Sequence, residues 1–82
     1  MRSTFDRDGG LARLWAANIT SARHARGWTK ADLAELMEVD KSTVGRWENG
    51  HTFPTIVHQH LLARMLDVPL ADLFPLSDPA AD

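Results

Sequence analysis

The fold is announced by Thr29-Lys30-Ala31-Asp32-Leu33-Ala34-Glu35-Leu36-Met37-Glu38-Val39-Asp40-Lys41-Ser42-Thr43-Val44-Gly45-Arg46-Trp47-Glu48-Asn49-Gly50. This segment holds two short helical patterns back to back. Thr29 reads as an N-cap, with Asp32 three residues later in a box-like position. Ala31, Leu33, Ala34 and Met37 recur at helical spacing and stop at Glu38-Val39. Asp40 reads as the N-cap of a second helix, Lys41 to Glu48. Asn49-Gly50 stops that helix, because both residues tolerate positive φ.

The same periodicity extends outward. A helix is expected from near Gly10, with Asp8 as candidate N-cap and Leu11, Leu14, Trp15, Ile19 and Ala22 at three- and four-residue steps. Gly27 suits a left-handed cap, so this helix ends around Ala25 or Arg26. Residues 50–54 form a loop, and Thr55 caps a fourth helix to about Leu66. Pro69 sits at the first turn of a short fifth helix through Leu73. No stretch alternates apolar and polar residues as a half-buried strand does. The expected fold is all-α and five-helical, with a flexible arm at 1–9, one domain at 10–74 and an acidic disordered tail at 75–82.

The chain has 82 residues, 44% hydrophobic and 24% charged, the balance of one small folded domain. It has no cysteine, which excludes a disulfide scaffold, a zinc finger and a thiol nucleophile. Charged residues interrupt the N-terminal stretch, and no apolar run reaches the roughly 20 residues that span a bilayer, so no membrane association is expected. The formal charge of −2 has the wrong sign for a protein that merely coats nucleic acid. The charge is unevenly placed, however: the balance is +1 over residues 1–18, zero over 19–60 and −3 over 61–82. The negative excess therefore lies beyond the two central helices.

Two short helices joined by a tight turn, the second amphipathic and polar at its start, are what a helix-turn-helix requires. Leu33, Ala34, Met37, Val39, Val44 and Trp47 supply the inward side. Lys41, Ser42, Gly45 and Arg46 are left on the outer face, at the turns that enter a major groove. A resemblance sharpens this reading. Ile19, Arg23, Gly27-Trp28-Thr29, Leu33-Ala34, Val39, Val44, Arg46-Trp47-Glu48-Asn49-Gly50, Pro54, Ala63, Leu66 and Val68 follow a known pattern in order and spacing. Residues 19–73 thus resemble the phage repressor/Cro (XRE-like) class of helix-turn-helix domains. The Trp-Glu-Asn-Gly stop followed by Pro is the most specific part of the match.

The resemblance implies a compact five-helix, repressor-like DNA-binding domain that usually works as a dimer on a near-palindromic operator. It implies base reading by Lys41, Ser42 and Arg46; Lys or Arg donates to guanine O6 and N7, and Ser serves either base type. It implies phosphate contacts from Lys30, Thr43 and Asn49, helped by the free N–H groups at the start of the second helix. Its Arg–Glu pair falls on Arg23 and Glu48, expected to support the recognition helix together with the core residue Trp47. Trp28 is expected to close the first helix against the second. Three positions depart from the family pattern: Lys30 replaces the usual Gln, Glu38 stands where Gly is common in the turn, and Gly45 stands where a polar side chain is common. A positive φ at Glu38 costs about 1 kcal/mol, and Gly45 costs roughly 1 kcal/mol of helix propensity relative to Ala.

On the fourth helix, Ile56, Leu62, Ala63 and Leu66 are expected to face inward. Val57, Leu61 and Met65 make a second apolar stripe at four-residue steps. That stripe has two alternative covers: a second copy of the chain, or intramolecular cover by Leu11 and Trp15 or by Phe74 and Leu76. His58 and His60 are two apart and point to different faces, and His24 and His51 add no partner at i, i+4. No metal and no cofactor are expected. There is no phosphate-cradling Gly-rich loop and no Ser/His/acid arrangement, so an enzyme is not expected either.

The expected function is a sequence-specific transcriptional regulator, a repressor of bacteria or their phages, acting on a double-stranded DNA operator in the cytoplasm, at the nucleoid of the cell or phage-infected host. The alternative is a protein-interaction module, such as an antitoxin or an accessory or immunity factor. The second stripe and the acidic tail motivate it.

Overall fold

A computed structural model describes residues 10–77. Its elements are α1 (Gly10–Ala25), α2 (Lys30–Met37), α3 (Lys41–Glu48), α4 (Ile56–Leu66) and α5 (Leu70–Leu73), with no strand among the described residues. The expected Asp8 cap, the arm at 1–9 and residues 78–82 lie outside the described residues.

Burial along α1 follows a strict step of four: Leu11, Trp15, Ile19 and Arg23 are all buried, with Ala16 beside them. A four-residue step drifts slowly around a 3.6-residue helix, so one narrow stripe faces the core over the whole length. At the start of α2 the full capping box is present. The Thr29 side chain accepts the Asp32 N–H at 3.0 Å, and the Asp32 carboxylate accepts the Thr29 N–H at 2.9 Å. Asp40 accepts the Ser42 N–H at 3.3 Å at the start of α3, and Thr55 accepts the His58 N–H at 3.2 Å at the start of α4.

One hydrogen-bond pattern closes each of the four longer helices. The N–H of Trp28, Val39, His51 and Val68 reaches back to the carbonyl of Arg23, Ala34, Arg46 and Ala63 respectively. The residue before each takes a left-handed conformation: Gly27 at φ 72°, Glu38 at 58°, Gly50 at 74° and Asp67 at 57°. This is the Schellman arrangement, which satisfies the last carbonyls of a helix and turns the chain sharply. The α3 stop differs in one detail from the sequence expectation. Asn49 keeps a right-handed φ of −95°, and Gly50 alone takes the positive φ.

Leu11, Ile19, Leu33, Val44, Leu62 and Leu73 are fully buried, so every helix contributes to one core. Trp28, Val39 and Val68, each following a left-handed cap, pack half-buried against it. Both α5 and the chain after it are tied to α1: the Asn18 amide donates to Leu73 O, at the end of α5, at 3.0 Å, and the Trp15 indole N–H donates to Pro75 O at 2.6 Å. Phe53 and Phe74 each meet the Trp15 ring edge-on at 5.1 Å between centroids. That geometry is favourable for the aromatic quadrupole.

The first turn of α4 faces differently from the sequence expectation. Ile56, expected to face inward, is 68% exposed. The core face of this helix runs through Leu62 and Leu66, with His58 against Trp47 at 5.4 Å between centroids. Ile56 lies six residues before Leu62, about 120° around the helix from that face. Of the second stripe, Leu61 and Met65 pack half-buried against the core, while Val57 is 66% exposed. Phe74 is buried and Leu76 is exposed. None of the helices formed by the described residues is long and apolar enough to cross a membrane.

Candidate nucleic-acid interface

The outward character of α3 follows from what its inner face must do. Val44 and Trp47 are buried, and they anchor the helix against α1 and α2, its neighbours in space. With that face fixed, Lys41, Ser42 and Arg46 are exposed, while Thr43 and Gly45 are partly covered. Ser42 and Arg46 are four residues apart and share one line along the helix; Lys41 and Gly45 share the adjacent line. A Cβ added at Gly45 would meet nothing within 4 Å, so the surface beside Lys41 is open. An α-helix with its side chains is about 10–12 Å across, a cross-section that a major groove about 12 Å wide admits.

The end of α3 is held by a buried ion pair. Arg23 Nε donates to Glu48 Oε2 at 2.7 Å, and Arg23 Nη2 donates to Glu48 Oε1 at 2.8 Å. The side chains are 8% and 2% exposed. Arg23 Nη1 donates to Trp28 O at 2.8 Å, and the Thr20 hydroxyl lies 2.9 Å from Glu48 Oε1. No buried side-chain nitrogen or oxygen among the described residues lacks a hydrogen-bond partner. One guanidinium therefore ties α1, the α1–α2 turn and the end of α3 together.

Burial pushes the Glu48 carboxyl up, but the hydrogen bonds from Arg23 and Thr20 and the charges of Arg23 and Lys30 outweigh it and hold the group below its ordinary value. The hydrogen bond to Glu48 raises Arg23 in turn, against its own desolvation. The Lys30 charge thus reaches the C-terminal end of α3, where Asn49 is exposed. Lys30 itself is the first residue of α2 and is half-buried. Of the candidate phosphate-contacting residues, Thr43 is half-buried on α3, Asn49 is exposed at its C-terminal cap and Lys30 opens α2, while the candidate base-reading residues Lys41, Ser42 and Arg46 are exposed on α3.

Two contacts in this arrangement carry no local sequence signal. Thr20 joins the Arg23–Glu48 pair from 28 positions away, and a lone threonine inside a helical run announces nothing. Asp40 was legible only as a cap, yet it also binds the Ser42 hydroxyl. Among the described residues, no group of three or more His, Cys, Asp or Glu is placed to hold a metal ion.

A five-helix domain whose second and third helices meet at a left-handed turn, with the third presenting cations outward, defines the class as helix-turn-helix. The family model for helix-turn-helix domains (HTH_3) matches residues 19–73, and the chain belongs to that family. It is 33% identical over 61 residues to the HTH-type transcriptional regulator SutR of Escherichia coli, a match over 74% of this chain and 34% of SutR. The chain thus spans about a third of the length of that relative. Among solved structures it is similar to the restriction-modification controller protein C.AhdI from Aeromonas hydrophila. There the TM-score is 0.71 at 30% identity, covering 77% of this chain and 96% of that one. An HTH_3 family transcriptional regulator from Vibrio cholerae has a TM-score of 0.71 at 27% identity, over 82% of this chain and 38% of its own.

Proposed function

We propose that this chain is a sequence-specific DNA-binding transcriptional regulator, a repressor of bacteria or their phages, that inserts α3 into the major groove of its operator. The observation that carries this reading is the division of α3. Val44 and Trp47 are locked in the core, and Glu48 is clamped by Arg23, while Lys41, Ser42 and Arg46 stand together in solvent. Rigid placement matters because base reading demands that donors meet fixed atoms on base edges. Lys41 and Arg46 supply donors for guanine, and Lys30, Thr43 and Asn49 set register on the phosphates. Family membership and the kinship with regulators favour this reading over a protein-interaction module. Binding without chemistry is the proposed activity, in the cytoplasm, at the nucleoid of a bacterial cell or its phage-infected host.

A mobility-shift series over salt concentration, using fragments of the native promoter region against random DNA, tests the proposal. Arg46→Ala is expected to cost about 1–3 kcal/mol of specific binding while leaving the helical signal and the unfolding midpoint in place. Equal affinity for promoter and random DNA would overturn the regulator reading; unchanged specific affinity in the variant would overturn the role of Arg46.

We also propose that the operator-bound species is a homodimer, since two half-sites one helical turn apart are read by two copies. Val57, at the exposed first turn of α4, is the proposed centre of the contact, with Ile56 beside it and Leu61 and Met65 behind it.

A further inference from the structure

The N-terminal corner of α3 sets a hydrogen-bond polarity that its cations do not explain. The Asp40 carboxylate accepts the Ser42 backbone N–H at 3.3 Å and also accepts the Ser42 hydroxyl. Both residues are exposed, on the side of α3 that the DNA reading turns toward the groove. A serine hydroxyl has one proton and two lone pairs, whereas an ionised carboxylate is acceptor only. The Ser42 proton therefore points at Asp40, and the hydroxyl oxygen offers only lone pairs to anything beyond. Hydrogen bonds from the Ser42 side chain and backbone, with the Arg46 charge, hold Asp40 below its ordinary carboxyl range against partial desolvation. The carboxylate thus stays ionised at neutral pH.

Base edges in the major groove divide by the same polarity. Adenine N6 and cytosine N4 are exocyclic amino donors; guanine O6 and N7 and thymine O4 are acceptors. We propose that Asp40 is a positioning residue for sequence specificity: by holding the Ser42 proton it makes Ser42 an acceptor that reads an exocyclic amino group, adenine N6 or cytosine N4. Lys41 and Arg46 flank this acceptor as donors, so the helix presents mixed polarity to successive base pairs and not a uniformly cationic face. The inference rests on the DNA reading proposed above. It extends that reading by assigning the base class that Ser42 recognises and by giving Asp40 a part in recognition.

The test begins with selection of bound sites from random DNA by the wild-type protein and by Ser42→Ala. The base pair whose preference relaxes in Ser42→Ala marks the position read by Ser42. Its amino group is then deleted, with purine replacing adenine or 2-pyrimidinone replacing cytosine, and affinity is measured by mobility shift. The wild type is expected to lose roughly 5–100-fold, and Ser42→Ala to lose little further. Asp40→Asn keeps a carbonyl oxygen for the Ser42 N–H, so the helix start is retained, but its amide can donate to Ser42 Oγ and release the hydroxyl proton outward. In that variant the loss on amino deletion is expected to shrink, an effect that a purely structural cap would not produce. Failure to enrich any site would sink the DNA reading together with this inference. Enriched sites with no base pair sensitive to Ser42→Ala, a harmless amino deletion, or an equal loss in wild type and Asp40→Asn would overturn the role of Asp40 alone.

Discussion

The Glu48 carboxylate sits where three segments meet, and its charge is useful only because Arg23 is beside it. Two charges removed from water are expensive to hold, and they are tolerable when geometry is good and the other polar atoms are satisfied. Both conditions hold: two donors of the guanidinium fork meet the two carboxylate oxygens, a third meets Trp28 O, and Thr20 lies against Glu48 Oε1. Glu48→Gln leaves Arg23 buried without a counter-charge and is expected to cost about 3–5 kcal/mol, read from urea unfolding at neutral pH. The pH dependence follows from the direction of the shift. A carboxyl depressed in the folded state binds its proton more readily when unfolded. Its stabilisation is therefore complete above the unfolded value, about 4.3, and is lost as pH falls through the lower folded value. The wild-type urea midpoint should decline in that acidic window, and Glu48→Gln should flatten the decline. An equally steep decline in the variant would place the acid sensitivity elsewhere.

At the scale of the helices, starts were legible and ends were legible only in part. Thr29, Asp40 and Thr55 each cap a helix through a side-chain oxygen, a local interaction spanning two or three residues. Gly27 and Gly50 announce left-handed closures by composition. Glu38 and Asp67 take the same conformation without glycine; Glu38 was marked by the family pattern, and Asp67 by nothing. Tertiary packing imposes those two closures, because Val39 and Val68 must turn back onto the core directly after the cap. Glu38→Gly removes the Cβ strain of the turn between α2 and α3. It is expected to raise stability by about 0.5–1 kcal/mol in denaturant unfolding. A loss of stability would show that the Glu38 side chain contributes more than its backbone costs. The fourth helix was the element read least well. Two apolar stripes were visible in its sequence, but periodicity does not say which stripe meets the core, and Ile56 fell on the wrong side.

For the whole molecule, charge placement and surface exposure outweigh totals. The net charge of −2 argues against indiscriminate nucleic-acid binding, yet the exposed face of α3 carries Lys41 and Arg46. Val57 and Ile56 at the head of α4 are the exposed apolar pair that the homodimer proposal uses. Val57→Glu is expected to lower the sedimenting mass toward that of a monomer and to weaken operator binding without altering the helical content. A single species of unchanged mass in wild type and variant would remove this surface from the dimer contact.

Local quantities were set within short segments: the five helices and most of their caps, the two-helix unit around the turn at Glu38, and the residue types available to its outer face. Each depends on spacings of two to four residues, over which side-chain and backbone chemistry act directly. How distant pieces meet depended on the packing of the whole chain. That packing placed Thr20 beside Glu48, tied Asn18 to α5 and Trp15 to the chain after it, and turned Ile56 and Val57 to solvent while covering Leu61 and Met65. Those choices depend on which apolar surfaces exclude water together, a property of the packed core that no single segment encodes.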